Sequence, residues 1–482
     1  MSIFSKLLST HIKNKNIRTF SLAQYCEIDR SNMYKLINGK RNPSSEEMVN
    51  RISEYMKLTN SEHREFMEAY KISLIGNDVY YRRKSVQEFM SHFIEPKNFQ
   101  PYKSFFAPDF HHLSEQKPIF VSDKRELRQI IQMIITLASK EDGCIDLLLQ
   151  PSNTYIMEAL YYIGNREKNL KIEHIFGLSN VDDIGENKKD YNLTNLQNII
   201  PFYYLDYCQY MSYYYYDDIL AHDNIFNLFK SMILTSGYVL VFSEKLENGI
   251  LFTQKDIVAN FYEVFKKLKN EASPIVKKIN SIFEQLKYFE ELEPGRIKGY
   301  EFQQQPCFVP LLPLTFPEKY LIREIPDRKQ FVDEVLRYIK KESELYKSGP
   351  TFFCFTQEGV EDFLRTGRFY ELPEEVYTPI EYEDRVLLVR NLMIACKKYN
   401  YIMLRPESVI AKSNLSIYAT VRKGYILFKT VQKRLVCLSL EEHGILYAFY
   451  DYLSSLDESN FYTTEETIGI LKNLLKKVHE YN

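Results

Sequence analysis

The chain of 482 residues contains no tryptophan, 16 glycines and 7 cysteines, whereas tyrosine occurs 38 times. The cysteines are scattered, and no two of them form a Cys-x-x-Cys pair: Cys26, Cys144, Cys208, Cys307, Cys354, Cys396 and Cys437. An odd and scattered set favours buried thiols in a reducing compartment over a disulfide framework or a zinc site. The sequence therefore predicts neither disulfides nor a bound metal.

Sequence motifs of catalysis are missing as well. The chain has no glycine-rich phosphate loop, no G-x-S-x-G, no H-E-x-x-H and no EF-hand loop. Of the nine histidines, only His111 and His112 are adjacent, in a proline-flanked segment without a nearby cysteine. We therefore expect no enzyme activity, no cofactor and no catalytic or metal-binding residues.

Long hydrophobic runs are also lacking. No stretch approaches the ~18–20 consecutive apolar residues that a membrane helix needs. The first residues, MSIFSKLLSTHIKNKN, have the spacing of an amphipathic helix and lack the apolar run and cleavage site of a secretion signal. The sequence predicts a cytoplasmic protein with no membrane partner.

Charge is distributed unevenly along the chain. The net charge is −2, yet residues 1–44 carry eight basic and two acidic residues, which leaves about −8 for the remaining residues. A basic N-terminal segment on an acidic remainder is the asymmetry expected if only that segment contacts the phosphates of a nucleic acid.

The basic segment has the pattern of a small helical domain. Apolar residues at helical spacing predict five helices between residues 3 and 75. Thr19 or Ser21 is predicted to cap the short second helix, and Asp29 the third, whose inward residues are Met33, Leu36 and Ile37. Gly39 is predicted to end the third helix, because glycine takes the left-handed conformation at little cost.

Residues 19–58 resemble a Cro/CI-type (XRE-family) helix-turn-helix domain. The matching elements are Leu22-Ala23, Ile28-Asp29-Arg30-Ser31, Met33, Leu36 and Gly39-Lys40-Arg41-Asn42-Pro43-Ser44. Two residues depart from the family pattern: Glu27 stands where the family usually has glycine, and Ile37 where many members have glutamate. Glu27 must then adopt a strained conformation or a slightly different turn.

The resemblance implies that the third helix enters the major groove of double-stranded DNA. The base contacts would come from Arg30, Ser31, Asn32, Tyr34 and Lys35. Arginine and lysine suit guanine, and asparagine suits adenine. The phosphate contacts would come from Thr19, Lys40 and Arg41. One such domain covers about half a site, which predicts a homodimer.

The remainder of the chain contains an internal similarity in four ordered segments. Residues 123–134, 219–225, 237–242 and 257–268 parallel residues 327–338, 409–415, 424–429 and 445–456. Helices and strands alternate in both copies, so the predicted fold is multidomain: an all-α helix-turn-helix domain followed by two related α/β domains. We expect the two domains to pack pseudo-symmetrically, with a cleft between them.

The predicted boundaries follow from these patterns. They are a helix-turn-helix domain at 1–75, a helical and extended connector at 76–117, a first α/β copy at 118–272, a helical and irregular crossover at 273–317, and a second α/β copy with a C-terminal helix at 318–482. The order of elements in each copy is similar to that of phospholipase-D-like halves. Their His-x-Lys signature is absent, since Ala221-His222-Asp223-Asn224 and Ala411-Lys412-Ser413-Asn414 stand in its place. That departure implies at most a non-catalytic relative.

One segment, YYLDYCQYMSYYYYDD at 203–218, is rich in tyrosine. Such a segment can be a binding surface. Its pattern is better explained by a helix that leads into a strand with alternate half-buried tyrosines.

The leading hypothesis is a cytoplasmic, sequence-specific DNA-binding transcriptional regulator, whose duplicated α/β region serves dimerisation or the sensing of a small-molecule or peptide effector. Two alternatives stay open at this point. One is an enzyme with an unrecognised active site in the interdomain cleft. The other is an interaction protein of a mobile-element or defence system with a vestigial helix-turn-helix domain.

Overall fold

The computed structural model describes residues 2–93, 117–167, 169–179, 191–216, 231–292, 297–430 and 432–479. The described residues divide into two compact units, residues 2–85 and those from 86 onward. The first unit is helical, and the second contains two mixed α/β sheets. The chain is therefore multidomain. Among the described residues, none of the helices combines the length and apolar character needed to cross a membrane.

The N-terminal unit contains the five predicted helices and the start of a sixth. They are α1 (Ile3–Asn14), α2 (Thr19–Tyr25), α3 (Arg30–Ile37), α4 (Glu46–Tyr55), α5 (Asn60–Ile75) and α6 (Asn77–Ser91). A single apolar core holds α1 to α5, in which Leu8, Leu22, Met33, Ile52 and Phe66 have no exposed surface. The unit therefore has its own core, as an independent domain requires.

Side-chain caps explain where most of these helices begin. The Asp29 carboxylate accepts a 2.7 Å hydrogen bond from Asn32 N, which confirms its predicted role at the start of α3. The prediction for α2 was wrong: its N-cap is Arg18, which makes no side-chain cap bond. Thr19 is instead the first helical residue.

The first sheet of the second unit has eight strands. They are β1 (Ile119–Val121), β2 (Cys144–Leu148), β3 (Leu170–Leu178), β4 (Cys208–Tyr216), β5 (Met232–Leu234), β6 (Val239–Phe242), β7 (Gly249–Phe252) and β8 (Ser273–Pro274). Their order is β1-β7-β6-β5-β2-β3-β4-β8. Strands β2, β3 and β4 are parallel, and the other pairs are antiparallel.

The second sheet has seven strands. They are β9 (Val276–Ile279), β10 (Tyr300–Phe302), β11 (Phe352–Phe355), β12 (Tyr401–Met403), β13 (Ser416–Ala419), β14 (Gly424–Lys429) and β15 (Leu435–Leu440). Their order is β12-β11-β10-β13-β14-β15-β9, and β10, β11 and β12 are parallel. From β9 to β12, this sheet repeats the order and the strand directions of β1 to β4 in the first sheet.

The segment at 273–317 differs from its predicted description. It was expected to be a helical and irregular crossover, but it supplies β9 and β10 to the second sheet. These strands are only four and three residues long. A strand that short shows too few alternations for a sequence pattern to indicate it.

The helices of the second unit lie on both faces of each sheet. They are α7 (Lys124–Lys140), α8 (Thr154–Gly164), α9 (Tyr191–Tyr203), α10 (Lys255–Glu271), α11 (Ile282–Glu291), α12 (Phe316–Tyr320), α13 (Arg328–Ser348), α14 (Gln357–Thr366), α15 (Tyr382–Lys398), α16 (His443–Ser454) and α17 (Thr464–His479). Short 3₁₀ helices occur at Val309–Leu311, Val409–Lys412 and Glu458–Asn460.

The two sheets share one large core but meet through non-equivalent faces. Helices α7, α8, α9 and α16 lie in that core, with one face of each sheet. Helix α10, which follows β7, packs on the outer face of the first sheet, whereas α16, which follows β15, lies between the sheets. The sheet face opposite α10 in the first sheet thus packs towards the face that carries α16, the counterpart of α10, in the second sheet. Because these two faces are not equivalent, the expectation of pseudo-symmetric packing was wrong.

Strand β4 accounts for the tyrosine-rich segment. Helix α9 ends at Tyr203, and β4 then runs from Cys208 to Tyr216. Tyr210 is buried, and Tyr213 to Tyr216 are half-buried. This is the helix-to-strand arrangement that the sequence predicted. The last two residues of the segment, like Ala221-His222-Asp223-Asn224, lie outside the described residues, as does the predicted extended part of the connector from 94 to 116.

Candidate nucleic-acid interface

Helices α2 and α3 are joined by a turn that ends α2 abruptly. Glu27 N donates to Gln24 O and Ile28 N donates to Ala23 O, at 3.1 Å each. These two bonds form a Schellman motif, which places a left-handed residue just after the helix. That residue is Glu27, with a φ of 54°. Its strained conformation is therefore confirmed, and it costs about 1–2 kcal/mol relative to glycine.

An arginine of α4 contacts this strained residue. Arg51 Nη1 lies 3.1 Å from Glu27 Oε2, and Arg51 Nη2 lies 3.4 Å from Glu47 Oε1. The Glu27 side chain is 76% exposed, so the pair contributes at most about 1 kcal/mol. The pair connects the turn to α4, which helps to fix the turn of the helix pair.

Helix α3 ends through the same motif, here at a glycine. Lys40 N donates to Lys35 O at 2.8 Å and Gly39 N donates to Leu36 O at 3.1 Å, while Gly39 has a φ of 70°. The predicted end of α3 is confirmed. Because the helix closes at once, Lys40 and Arg41 follow it directly on the surface.

Two buried residues set the orientation of α3. Met33 has no exposed surface and Leu36 is 2% exposed, so they fix one side of the helix against the core. The opposite side faces solvent. The structure brings four of the predicted base-contacting residues to that exposed side: Arg30, Ser31, Tyr34 and Lys35.

Asn32, the fifth predicted base contact, is only partly exposed and already bonded. Its Nδ2 donates to Asp29 Oδ2 at 2.6 Å, and Arg41 Nη1 donates to Asn32 Oδ1 at 3.4 Å. Arg30 lies over the ring of Tyr34, with its Cζ 5.5 Å from the ring centroid. An adenine contact by Asn32 would therefore have to replace the bonds to Asp29 and Arg41.

The residues predicted to contact phosphates lie at two places. Lys40 and Arg41 are exposed in the turn after α3, and Thr19 is partly exposed at the start of α2. Phe20, the neighbour of Thr19, exposes 64% of its surface. An exposed phenylalanine beside a predicted phosphate contact is a candidate contact that the sequence analysis missed. The available signal was an apolar residue at an outward helical position.

Within the described residues, no ion pair neutralises the charges of this surface. Lys15 pairs with Glu62 at 3.1 Å, and Arg51 pairs with Glu27. Within residues 2–93, by contrast, Arg30, Lys35, Lys40 and Arg41 form no ion pair. Four exposed and unpaired cations on α3 and the turn after it form a surface suited to an anionic partner.

A second cluster of chemically active groups lies in the second sheet. Glu301, Cys307 and Glu371 are buried, and one ligand atom of each lies within 4.8 Å of the others. Burial, then the carboxylates of Glu371 and Glu342, raise the pKa of Glu301 well above its ordinary value. Burial raises the pKa of Glu342 to about 8. These residues could hold a metal ion, and the sequence analysis missed them because their spacing follows no motif.

A cavity of about 270 Å³ lies at the carboxyl end of β2, beside the start of α8. Its lining includes Pro151, Thr154, Met157, Gln197 and Tyr204. The mixture of apolar walls and a few polar groups is typical of small-molecule pockets, although the cavity is slightly smaller than their usual volume of about 300–1,000 Å³.

Comparisons with known proteins give little information. No protein-family model and no curated protein matches the sequence. The archaeal chromatin protein TrmBL2, whose structure shows a novel mode of DNA binding, is 12% identical, with 52% of this chain and 84% of that chain covered at a TM-score of 0.24. A polyphosphate kinase from Porphyromonas gingivalis is 10% identical, with 88% and 66% covered at a TM-score of 0.22. TM-scores this low carry no argument about fold or function.

Proposed function

We propose that this protein is a sequence-specific DNA-binding transcriptional regulator of the Cro/CI helix-turn-helix type. The observation that carries the proposal is the exposed side of α3. Arg30 and Lys35 stand there without an ion pair among the described residues, while Met33 and Leu36 pack the other side of the helix against the core. A short helix presented in this way, after a tight turn from a preceding helix, suits insertion into the major groove.

The residues divide into two roles. Arg30, Lys35 and Tyr34 contact base edges, together with Ser31 and, after release from Asp29, Asn32. Lys40, Arg41 and Thr19 contact the phosphate backbone and set the register of the helix on the duplex. Each domain covers about half a site, so the protein acts as a homodimer.

The second unit provides dimerisation, effector sensing or both. Its two sheets arose by internal duplication, which is supported by their common strand order from β1 to β4 and from β9 to β12. The cavity lined by Pro151, Met157 and Tyr204 is a candidate effector site, since it lies at the carboxyl end of β2, one of the parallel strands.

The test begins by selecting a preferred duplex from a random library with the full-length protein. Fluorescence anisotropy then compares wild type with Arg30→Ala/Lys35→Ala on the selected duplex. The double variant should bind at least ~30-fold more weakly, because each lost base contact costs about 1–3 kcal/mol. The matched control is Lys266→Ala/Lys267→Ala, which removes the same charge from exposed positions of α10. It should bind as wild type does.

Three results would count against the proposal. A library selection without enrichment would point to a protein whose helix-turn-helix domain no longer binds specific DNA. Equal binding by the Arg30→Ala/Lys35→Ala variant would remove α3 as the recognition helix. Equal weakening by both double variants would show attraction by charge alone, with no sequence readout.

A further inference from the structure

The buried cluster around Glu301 contains more acidic groups than its surroundings neutralise. Glu301, Glu342 and Glu371 are 6%, 6% and 7% exposed. Within the described parts of the chain, no lysine or arginine forms an ion pair with any of the three. Buried carboxylates are normally paired with a cation or coordinate a metal. A bound cation would let these carboxylates ionise in place of taking up protons.

The donor atoms are also arranged around a common point. One ligand atom each from Glu301, Cys307 and Glu371 lies within 4.8 Å of the others, and Cys307 Sγ lies 3.8 Å from Glu371 Oε1. In a tetrahedral zinc site, a thiolate sulfur and a carboxylate oxygen are about 3.6 Å apart, given bond lengths of about 2.3 and 2.1 Å. The observed separation is close to that value.

Surrounding groups hold these donors in place. The Gln303 amide donates to Glu301 Oε1 and, at 3.2 Å, to Glu371 Oε2. Tyr401 Oη donates to the Cys307 carbonyl oxygen at 2.7 Å. Hydrogen bonds from outside the ligand set orient the ligands in metal sites. The two carboxylates and the backbone of Cys307 are fixed in the same manner here.

A fourth donor is independent of this network. Glu342 Oε1, on α13, is buried and has no hydrogen-bond partner in the described parts of the chain. Glu342 lies close enough to Glu301, Cys307 and Glu371 to interact electrostatically with each of them. A buried carboxylate oxygen without a partner is costly. As a fourth ligand to a metal, it would be satisfied.

We propose that Glu301, Cys307 and Glu371 bind one divalent zinc-type ion, with Glu342 or a water molecule as the fourth ligand. The thiolate together with hard oxygen donors favours zinc over magnesium or calcium, which take oxygen ligands alone. The site connects β10, α13 and the loop after α14 on the outer side of the second sheet. Because all its donors are buried, the ion enters as the protein folds and fixes these elements together.

The experiment measures metal in the full-length protein purified from zinc-supplemented cells, by plasma mass spectrometry. Wild type should contain about one zinc per chain. Protein produced with cobalt in place of zinc should show a thiolate-to-cobalt charge-transfer band in the near ultraviolet. Cys307→Ala should remove that band. Cys396→Ala is the matched control, because Cys396 is another buried thiol of the same core, and it should keep both the metal and the band.

Glu371→Gln provides a second variant that keeps the shape of the side chain. It should hold at least ~10-fold less metal after dialysis against a weak chelator, since one ligand is lost. The proposal is overturned if wild type carries no stoichiometric metal, or if its cobalt form lacks the thiolate band. It is also overturned if Cys307→Ala and Glu371→Gln retain as much zinc as Cys396→Ala. If neither variant folds, the metal content and cobalt spectrum of wild type still decide the question.

Discussion

Tyr216 Oη donates a 2.6 Å hydrogen bond to Glu442 Oε1, across 226 positions of sequence. Tyr216 ends β4 of the first sheet, and Glu442 is the N-cap of α16, the helix between the sheets. The same carboxylate accepts bonds from Gly444 N at 2.8 Å and from Ile445 N at 2.6 Å. One buried carboxylate thus joins the two halves of the second unit.

Tyr216→Phe should destabilise the second unit by about 1–2 kcal/mol, because it removes one donor to a buried acceptor and leaves the two cap bonds. The measurement is the midpoint of urea unfolding followed by far-ultraviolet circular dichroism. Tyr399→Phe is the control. The ring centroids of Tyr399 and Tyr346 lie 4.4 Å apart, and this ring contact remains when the Tyr399 hydroxyl is removed, so the midpoint should not change. Equal midpoints for wild type and Tyr216→Phe would show that this bond does not join the sheets.

Gly359 is a position where only glycine fits. A Cβ there would lie 1.9 Å from the backbone oxygen of Gln304. Gly359→Ala therefore forces the start of α14 away from the loop after β10 and should cost about 3 kcal/mol or more. Gly469→Ala in α17 is the control, because the added Cβ would meet no described atom within 4 Å apart from its chain neighbours and its own helix backbone. It should stabilise the helix by up to about 1 kcal/mol. Similar melting temperatures for the two variants would contradict this close approach.

Asp146 makes the second unit sensitive to pH. Burial, then the neighbouring Glu173, raise the pKa of Asp146 to about 7, although Lys171 and Lys269 oppose the shift. The folded protein thus binds a proton that the unfolded chain has already released at the ordinary pKa of about 3.8. The stability that this bound proton contributes is fully present below the pKa of the unfolded chain, about 3.8, and is lost as the pH rises through the folded pKa of about 7.

Asp146→Asn should remove this dependence. Between about pH 5 and pH 8, the free energy of unfolding of wild type should fall by on the order of 2–4 kcal/mol more than that of the variant, because the pKa of Asp146 is raised by about three units. Glu173 does not interfere, because hydrogen bonds from Lys269 and Lys171 outweigh its burial and lower its pKa. The free energy of urea unfolding at several pH values provides the measurement. Parallel curves for the two proteins would show that Asp146 does not titrate in this range.

The N-terminal domain could be predicted from sequence because its determinants are local. Met33 and Leu36 lie one helical turn apart, Asp29 caps the helix they belong to, and Gly39 ends it. Each signal lies within a dozen residues of the others. The cap of α2 was predicted wrongly because Arg18 starts the helix without a side-chain hydrogen bond. An N-cap of that kind has no residue type that a sequence pattern could indicate.

Non-local features were predicted less well. Two of the four similar segment pairs lie at equivalent places in the two strand orders, and a third, at 219–225, falls outside the described residues. The fourth pair is not equivalent, because helix α13 follows β10 and thus corresponds to α8 instead of α7. Amphipathic helices share one periodicity, which is why α7 and α13 were matched. The meeting of Glu301 and Glu371 depends on how chain segments 70 positions apart pack, and no local pattern carries that information.

Glu27→Gly should stabilise the N-terminal domain. Glycine relieves the strain of the left-handed backbone at φ 54°, which is worth about 1 kcal/mol. The variant also loses the exposed ion pair with Arg51, but that pair contributes less than the strain costs. The expected result is a melting temperature a few degrees higher, with DNA affinity unchanged. Arg51→Ala separates the two effects, because it removes the pair and keeps the strain. A lower melting temperature for Glu27→Gly than for wild type would show that the ion pair outweighs the strain, and one no higher than that of Arg51→Ala would show that glycine relieves no strain.

Lys40 and Arg41 should affect DNA binding differently from Arg30 and Lys35. As the proposed phosphate contacts, they would contribute to every sequence equally, so Lys40→Ala/Arg41→Ala should weaken specific and non-specific binding by similar factors. The plot of log affinity against log salt concentration should become shallower by about two. Loss of Arg30 and Lys35 should instead reduce the ratio of specific to non-specific affinity. Anisotropy titrations on a selected and a scrambled duplex at four salt concentrations distinguish the two patterns. A salt slope unchanged in Lys40→Ala/Arg41→Ala would show that this turn lies away from the DNA backbone.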